Sequence, residues 1–146
     1  MIASDESVGS VIVGIMASKQ EGLMALETMQ KARLDTAERD VHGKISKQTV
    51  QLDTVKVTRV RFDVGAKWSK DLKEYAGTDS CLLPHVAYVL TGRIMIRMDD
   101  GSEELFEAGD IMMLPPGHDA WTVGDEPCEF IEFSKGNDYY DALHKH

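Results

Sequence analysis

Cysteine and proline are both scarce in this chain of 146 residues, which has two of the first, Cys81 and Cys128, and four of the second. One conceivable bridge does not make a disulfide-stapled secreted scaffold. Stability must then come from a hydrophobic core, and the length together with 42% apolar residues is enough for one in a single domain. Long apolar runs are missing too. The stretch from Val11 to Ala17, "VIVGIMA", falls far below the roughly 20 residues of a membrane-crossing helix. Asp5 and Glu6 precede it where a secretory signal would carry bases, so the expectation is a cytoplasmic protein with no membrane partner. Basic charge is nearly absent from one region: Met98 to Asp141 holds 13 Asp+Glu and only Lys135, whereas Lys19 to Lys73 holds 12 Lys+Arg against 8 Asp+Glu. With a net charge of −9 and no Lys/Arg stripe interleaved with aromatics, nucleic-acid binding is excluded as an expectation. The acidity reads as a solubilising surface.

What is present divides at about residue 48, with no internal repeat. In the N-terminal segment, 1–48, "SKQE" makes a capping box with Ser18 as N-cap and Glu21 three positions on. Leu23, Leu26 and Met29 follow at three-to-four spacing, which predicts a helix over about 18–39. In 49–146 the period becomes two. Val55 and Val57, then Val60, Phe62 and Val64, alternate with polar residues as half-buried strands do. "RIMIRM" sets Ile94, Ile96 and Met98 on one face, Asp99 to Gly101 is a hairpin turn, and Pro115 and Pro116 stop the strand "DIMML". "CEFIEF", Cys128 to Phe133, is a further strand. Many short strands with Gly, Pro and Asp between them predict an all-β sandwich or barrel.

"YVLTGRIMIRMDDG" followed by "EAGDIMMLPPG" resembles the conserved-barrel domain of the cupin superfamily, over roughly Thr58 to Phe133. Tyr88, Val89, Leu90 and Gly92 match the end of the first cupin motif; Gly109, Asp110, Pro115 and Gly117 match the second. The resemblance implies a double-stranded β-helix (jelly-roll) barrel, here with an N-terminal α-helix, and a homodimer. It also implies metal ligands, and there the motifs diverge. The first resembles G-x5-H-x-H-x3,4-E-x6-G; counting back from Gly92 puts His85 at the glutamate, with Cys81 and Asp79 at the histidines. In the second, G-x5-P-x-G-x2-H-x3-N, the histidine and asparagine positions hold Ala120 and Gly124.

Strand parity offers substitutes, because alternate residues share a face. An unbulged strand would turn Asp79, Cys81 and His85 to the interior, and His118 lies on the face of Ala120. The candidate set is therefore His85, His118, Cys81 and Asp79, for one divalent transition metal (zinc, iron, nickel or manganese) or none. Without a metal, His85 and Cys81 read as barrel residues satisfied by packing and hydrogen bonds. Cys81 as a nucleophile with His85 as base is a third reading that lacks an orienting partner. Tyr88, Trp121 and Met112 are the expected walls of a ligand pocket, and His144 and His146 a tail.

The expected function is a small-molecule or metal binding and sensing module without turnover. The alternative is a metal-dependent cupin enzyme, of dioxygenase or isomerase type, with an atypical ligand set. Only Arg93 and Arg97 supply positive charge on the strands of the two motifs, too little for a sugar nucleotide.

Overall fold

The computed structural model describes residues 28–134. Nine strands lie in this range: β1 (Arg39–His42), β2 (Ile45–Gln51), β3 (Lys56–Phe62), β4 (His85–Thr91), β5 (Arg93–Met98), β6 (Glu103–Glu107), β7 (Ile111–Leu114), β8 (His118–Thr122) and β9 (Cys128–Ser134). Two single-turn helices, α1 (Trp68–Asp71) and α2 (Lys73–Ala76), cross between β3 and β4. The strands form a six-stranded sheet ordered β1-β2-β3-β9-β4-β7 and a three-stranded sheet ordered β6-β5-β8. This is the double-stranded β-helix that the resemblance implies, and it accords with the all-β sandwich or barrel that the period-two pattern predicts. No helix among the described residues is long and apolar enough to cross a membrane.

The alternation places the core. In β3, Thr58, Val60 and Phe62 are buried while Arg59 and Arg61 face outward, and in β8 His118, Ala120 and Thr122 point inward. Antiparallel register carries each choice to the neighbouring strand, since directly opposed residues share a face. Ile45 opposes Phe62, Val60 opposes Phe130, and Ile96 opposes Ala120. Both sheets contribute to one apolar cluster that includes Val89, Ile94, Met112 and Phe130. On the outer face of the large sheet, Glu129 accepts hydrogen bonds from Arg59 (2.6 and 3.0 Å) and Arg61 (2.7 Å).

The helix expected over 18–39 is not found in its described part. Its beginning lies outside the described residues, residues 28–38 hold no helix, and Arg39 already belongs to β1. The cause is tertiary. The Gln48 side chain, 7% exposed on β2, donates to the backbone carbonyls of Ala37 (3.1 Å) and Asp35 (3.5 Å), and Arg39 pairs with Gln48 in the ladder. These bonds hold the stretch as a turn, closed by Ala37 N donating to Leu34 O (3.1 Å), and not as a helix, which overrides a weak helical propensity. Strand structure thus begins at Arg39, ahead of Thr49 where the period-two reading started.

The β4–β5 turn depends on Gly92. Its φ of 74° suits glycine, and a Cβ there would run into the Pro127 carbonyl and come within 2.8 Å of the Cys128 Cα. Gly92→Ala is expected to cost about 2 kcal/mol or more. Gly109, at φ 97° with nothing near an added Cβ, serves as the comparison, and Gly109→Ala should cost about 1 kcal/mol from backbone strain alone. Urea midpoints at unchanged slope measure both; equal losses would show that the steric argument at Gly92 is wrong.

Candidate metal centre

Three donors converge where the two sheets meet at the Pro115–Gly117 turn. His118 opens β8, and its backbone is clamped to Cys81 by an isolated bridge: Cys81 N donates to His118 O (2.7 Å), and Gly117 N to Cys81 O (2.7 Å). His85 opens β4 immediately after Pro84, a residue that suits a strand's first position because it has no N–H to give to the ladder. The Cys81 sulfur and one nitrogen from each of His85 and His118 all lie within 4.8 Å of one another. The two imidazoles stand edge to face, centroids 5.2 Å apart at 66°.

Hydrogen bonds settle which nitrogens are available. His118 Nδ1 donates to the Pro115 carbonyl (2.9 Å), and His85 Nδ1 donates to the Glu132 carboxylate (2.6 Å). Both acceptors are oxygens that cannot donate back, so each neutral ring keeps its lone pair on Nε2. His85 Nε2 is 3.5 Å from the Cys81 sulfur. This is the arrangement of metal-binding histidines, whose outer nitrogen is held by a carboxylate or a backbone carbonyl.

The same contacts govern the charges. Burial opposes the Cys81 thiolate, but hydrogen bonds from His118 and His85 outweigh it and bring the thiol down to about 6 from an ordinary 9.0. Burial also opposes a charged His85; the bonds to Cys81 and Glu132 prevail and raise it to about 10. Without metal, Cys81 and His85 are therefore a thiolate–imidazolium pair at neutral pH. Cys128, completely buried with Glu129 and Glu126 near it, is driven the other way, to about 12.

Beside these donors is a cavity of about 80 Å³, walled by apolar side chains such as Phe62, Trp68, Ile94, Met112 and Phe130. Drug-sized pockets are about 300–1,000 Å³, so this space suits a molecule of a few heavy atoms. Lys47 and Glu132 are its charged lining residues apart from the donor cluster.

The structure brings together Cys81, His85 and His118 and leaves the other sequence candidates elsewhere. Asp79 is fully exposed, 3.5 Å from Lys73, because residues 79–84 form no continuous strand and parity does not run through them. Met112 lines the cavity. Tyr88 faces out of the large sheet, 43% exposed and opposed by Ile111 and Ile131. Trp121 alternates away from His118, and Lys67 sits 5.1 Å over its ring. Glu132 was missed. The signal was there in "CEFIEF", where period two puts Cys128, Phe130 and Glu132 on one face, an inward carboxylate at the end of an otherwise apolar row.

No protein-family model matches the sequence, and no curated protein matches it. Solved structures do. A Cupin 2 conserved barrel domain protein from Salinispora arenicola CNS-205 is 19% identical with a TM-score of 0.57, covering 82% of this chain and 99% of that one. An RmlC-like cupin from Shewanella frigidimarina NCIMB 400 is 19% identical with a TM-score of 0.55, over 77% and 96% of the two chains. The polyketide cyclase RemF from Streptomyces resistomycificus is 16% identical with a TM-score of 0.54, over 73% and 78%.

Proposed function

We propose that this chain, whose fold is that of the cupins, is a binding module that holds one transition metal through Cys81, His85 and His118 and offers it to a small ligand in the adjoining cavity. The observation that carries this reading is the fixing of both Nδ1 atoms by Pro115 and Glu132, which leaves two Nε2 lone pairs beside one sulfur. The donors fit the group. In a tetrahedral zinc site with bonds of about 2.0–2.3 Å, neighbouring donors sit roughly 3.4–3.7 Å apart. The Cys81–His85 spacing of 3.5 Å already has that length, and His118 needs a shift of about an ångström. A thiolate with two imidazoles suits zinc, iron or nickel; manganese, which prefers oxygen donors, is the poorest match.

Three protein donors leave a fourth position open, and that feature favours the second reading, a metal-dependent enzyme. A polyketide cyclase is among the structurally similar proteins. Binding without turnover is preferred because the cavity has no free general base. Its only carboxylate, Glu132, is committed to His85, and apart from Lys47 and the donors the walls are apolar. A cytoplasmic homodimer completes the proposal, and light scattering at micromolar concentration checks the dimer.

Elemental analysis of protein purified without chelator should find one zinc, iron or nickel per chain, lost in both His85→Ala and His118→Ala. A wild type that arrives metal-free and takes up no added zinc would overturn the reading.

A further inference from the structure

Lys47 is the cation that the metal reading leaves unused. It lies on the inner face of β2, opposed by the buried Val60, and it is the only lysine or arginine lining the cavity. Glu132, the cavity's only carboxylate, is engaged by His85, and among the described residues nothing pairs with the Lys47 ammonium. A partly buried ammonium facing apolar walls is costly unless an anion meets it. It is the natural counter-ion of something that enters.

We propose that the cavity takes a small monocarboxylic acid, its carboxylate on Lys47 and its apolar body against Phe62 and Phe130, with a second oxygen directed at the metal. The last element rests on the metal reading above; the Lys47 contact does not. The sheet order gives the span. β3 and β9 lie between β2 and β4, which sets the two strands about 14 Å apart at ~4.8 Å per strand, and the register puts Lys47 level with Val60, Phe130 and Val89, about 13 Å along β4 from His85 at ~3.3 Å per residue; both residues line the one cavity. The class follows from the charge and the volume: a single ammonium matches one carboxylate, whereas a phosphate dianion or a sugar nucleotide would need several donors, and a cavity of about 80 Å³ is too small for the latter.

The test is calorimetric titration of butyrate, 2-oxobutyrate and butyramide into zinc-loaded and metal-free protein, for the wild type, Lys47→Met and Lys47→Arg. Wild type should bind both acids and not the uncharged amide. Lys47→Met should weaken both acids by roughly tenfold or more, and Lys47→Arg should keep most of the affinity. Zinc should strengthen 2-oxobutyrate more than butyrate, because only that acid carries an oxygen beyond its carboxylate. The acid site is overturned if neither acid binds the wild type, if butyramide matches butyrate, or if Lys47→Met, shown folded by its urea midpoint, binds as the wild type does. If zinc does not bind while the acids still depend on Lys47, the metal reading fails and the acid site stands; if zinc binds but gives 2-oxobutyrate no advantage, the contact of the second oxygen with the metal is overturned and the acid site stands.

Discussion

In metal-free protein at neutral pH, a small methanethiosulfonate reagent is expected to modify Cys81 and leave Cys128 untouched. Cys81 lines the cavity with its thiol near 6, whereas Cys128 is wholly buried with its thiol near 12, so at neutral pH one is mostly thiolate and the other almost none. Against an ordinary exposed cysteine the rate gain is smaller than the thiolate fraction suggests. About ninety times more thiolate is offset by a roughly twentyfold weaker nucleophile, since nucleophilicity falls with thiol basicity at a Brønsted slope of ~0.4–0.5. The midpoint is the decisive readout: the rate should rise through about pH 6 and be flat above it. A rise centred near 9.0, or labelling of Cys128 first, would rule out the thiolate–imidazolium pair. Bound zinc should block the reaction.

The same pair shapes stability against pH. The lowered Cys81 contributes stability that is lost as pH falls through about 6, and the raised His85 contributes stability that is lost as pH rises through about 10. Between the ordinary values of 6.5 and 9.0 the unfolded chain keeps one proton on the sulfur and the folded chain keeps one on His85, so the two contributions hold a plateau. Below 6.5 the unfolded histidine takes up a proton before folded Cys81 does, and above 9.0 the unfolded thiol loses one before folded His85 does. Stability should therefore decline at both ends. Urea midpoints across this range for wild type and Cys81→Ser check it, since the variant should lack the shared plateau.

The strands were legible because their signal is local. Period two in "VTRVRF" and "CEFIEF", the Asp99–Gly101 turn and the stop at Pro115 all give short-range constraints, and the structure follows them closely. Residues 28–38 were misread because what holds them is Gln48, a polar side chain from a strand whose pairing no local pattern reveals. The donor cluster was half legible. Parity from Ala120 placed His118 inward, but Cys81 reaches the cluster through a bridge to His118 and not through strand alternation, which is why Asp79 did not follow it. Size and nearness to the turns point to Tyr88 and Trp121 as pocket walls, but strand parity puts both outside.

Glu132 is the residue whose loss separates an organised centre from a mere group of donors. Its carboxylate fixes the His85 tautomer and ring, and both side chains are largely shielded, at 16% and 21% exposure. Glu132→Gln keeps an oxygen that can still accept from Nδ1, so the ring should stay oriented but lose its charge support. Zinc affinity should then fall by about tenfold, at the mild end of the ~10–100-fold range for such outer partners. Glu132→Leu removes the acceptor, so the fall should reach about a hundredfold, with a stability loss of roughly 2 kcal/mol, below the ~3–5 kcal/mol of a fully buried broken pair because water reaches this one. In both variants the Cys81 midpoint should move up, because an imidazolium without its carboxylate is a weaker partner for the thiolate. Zinc titration against a competing chelator, with the alkylation profile of the same samples, reads both effects. If Glu132→Leu bound zinc like the wild type, His85 would not be the ligand that the carboxylate holds in place, and the centre would have to be rebuilt around Cys81 and His118 alone.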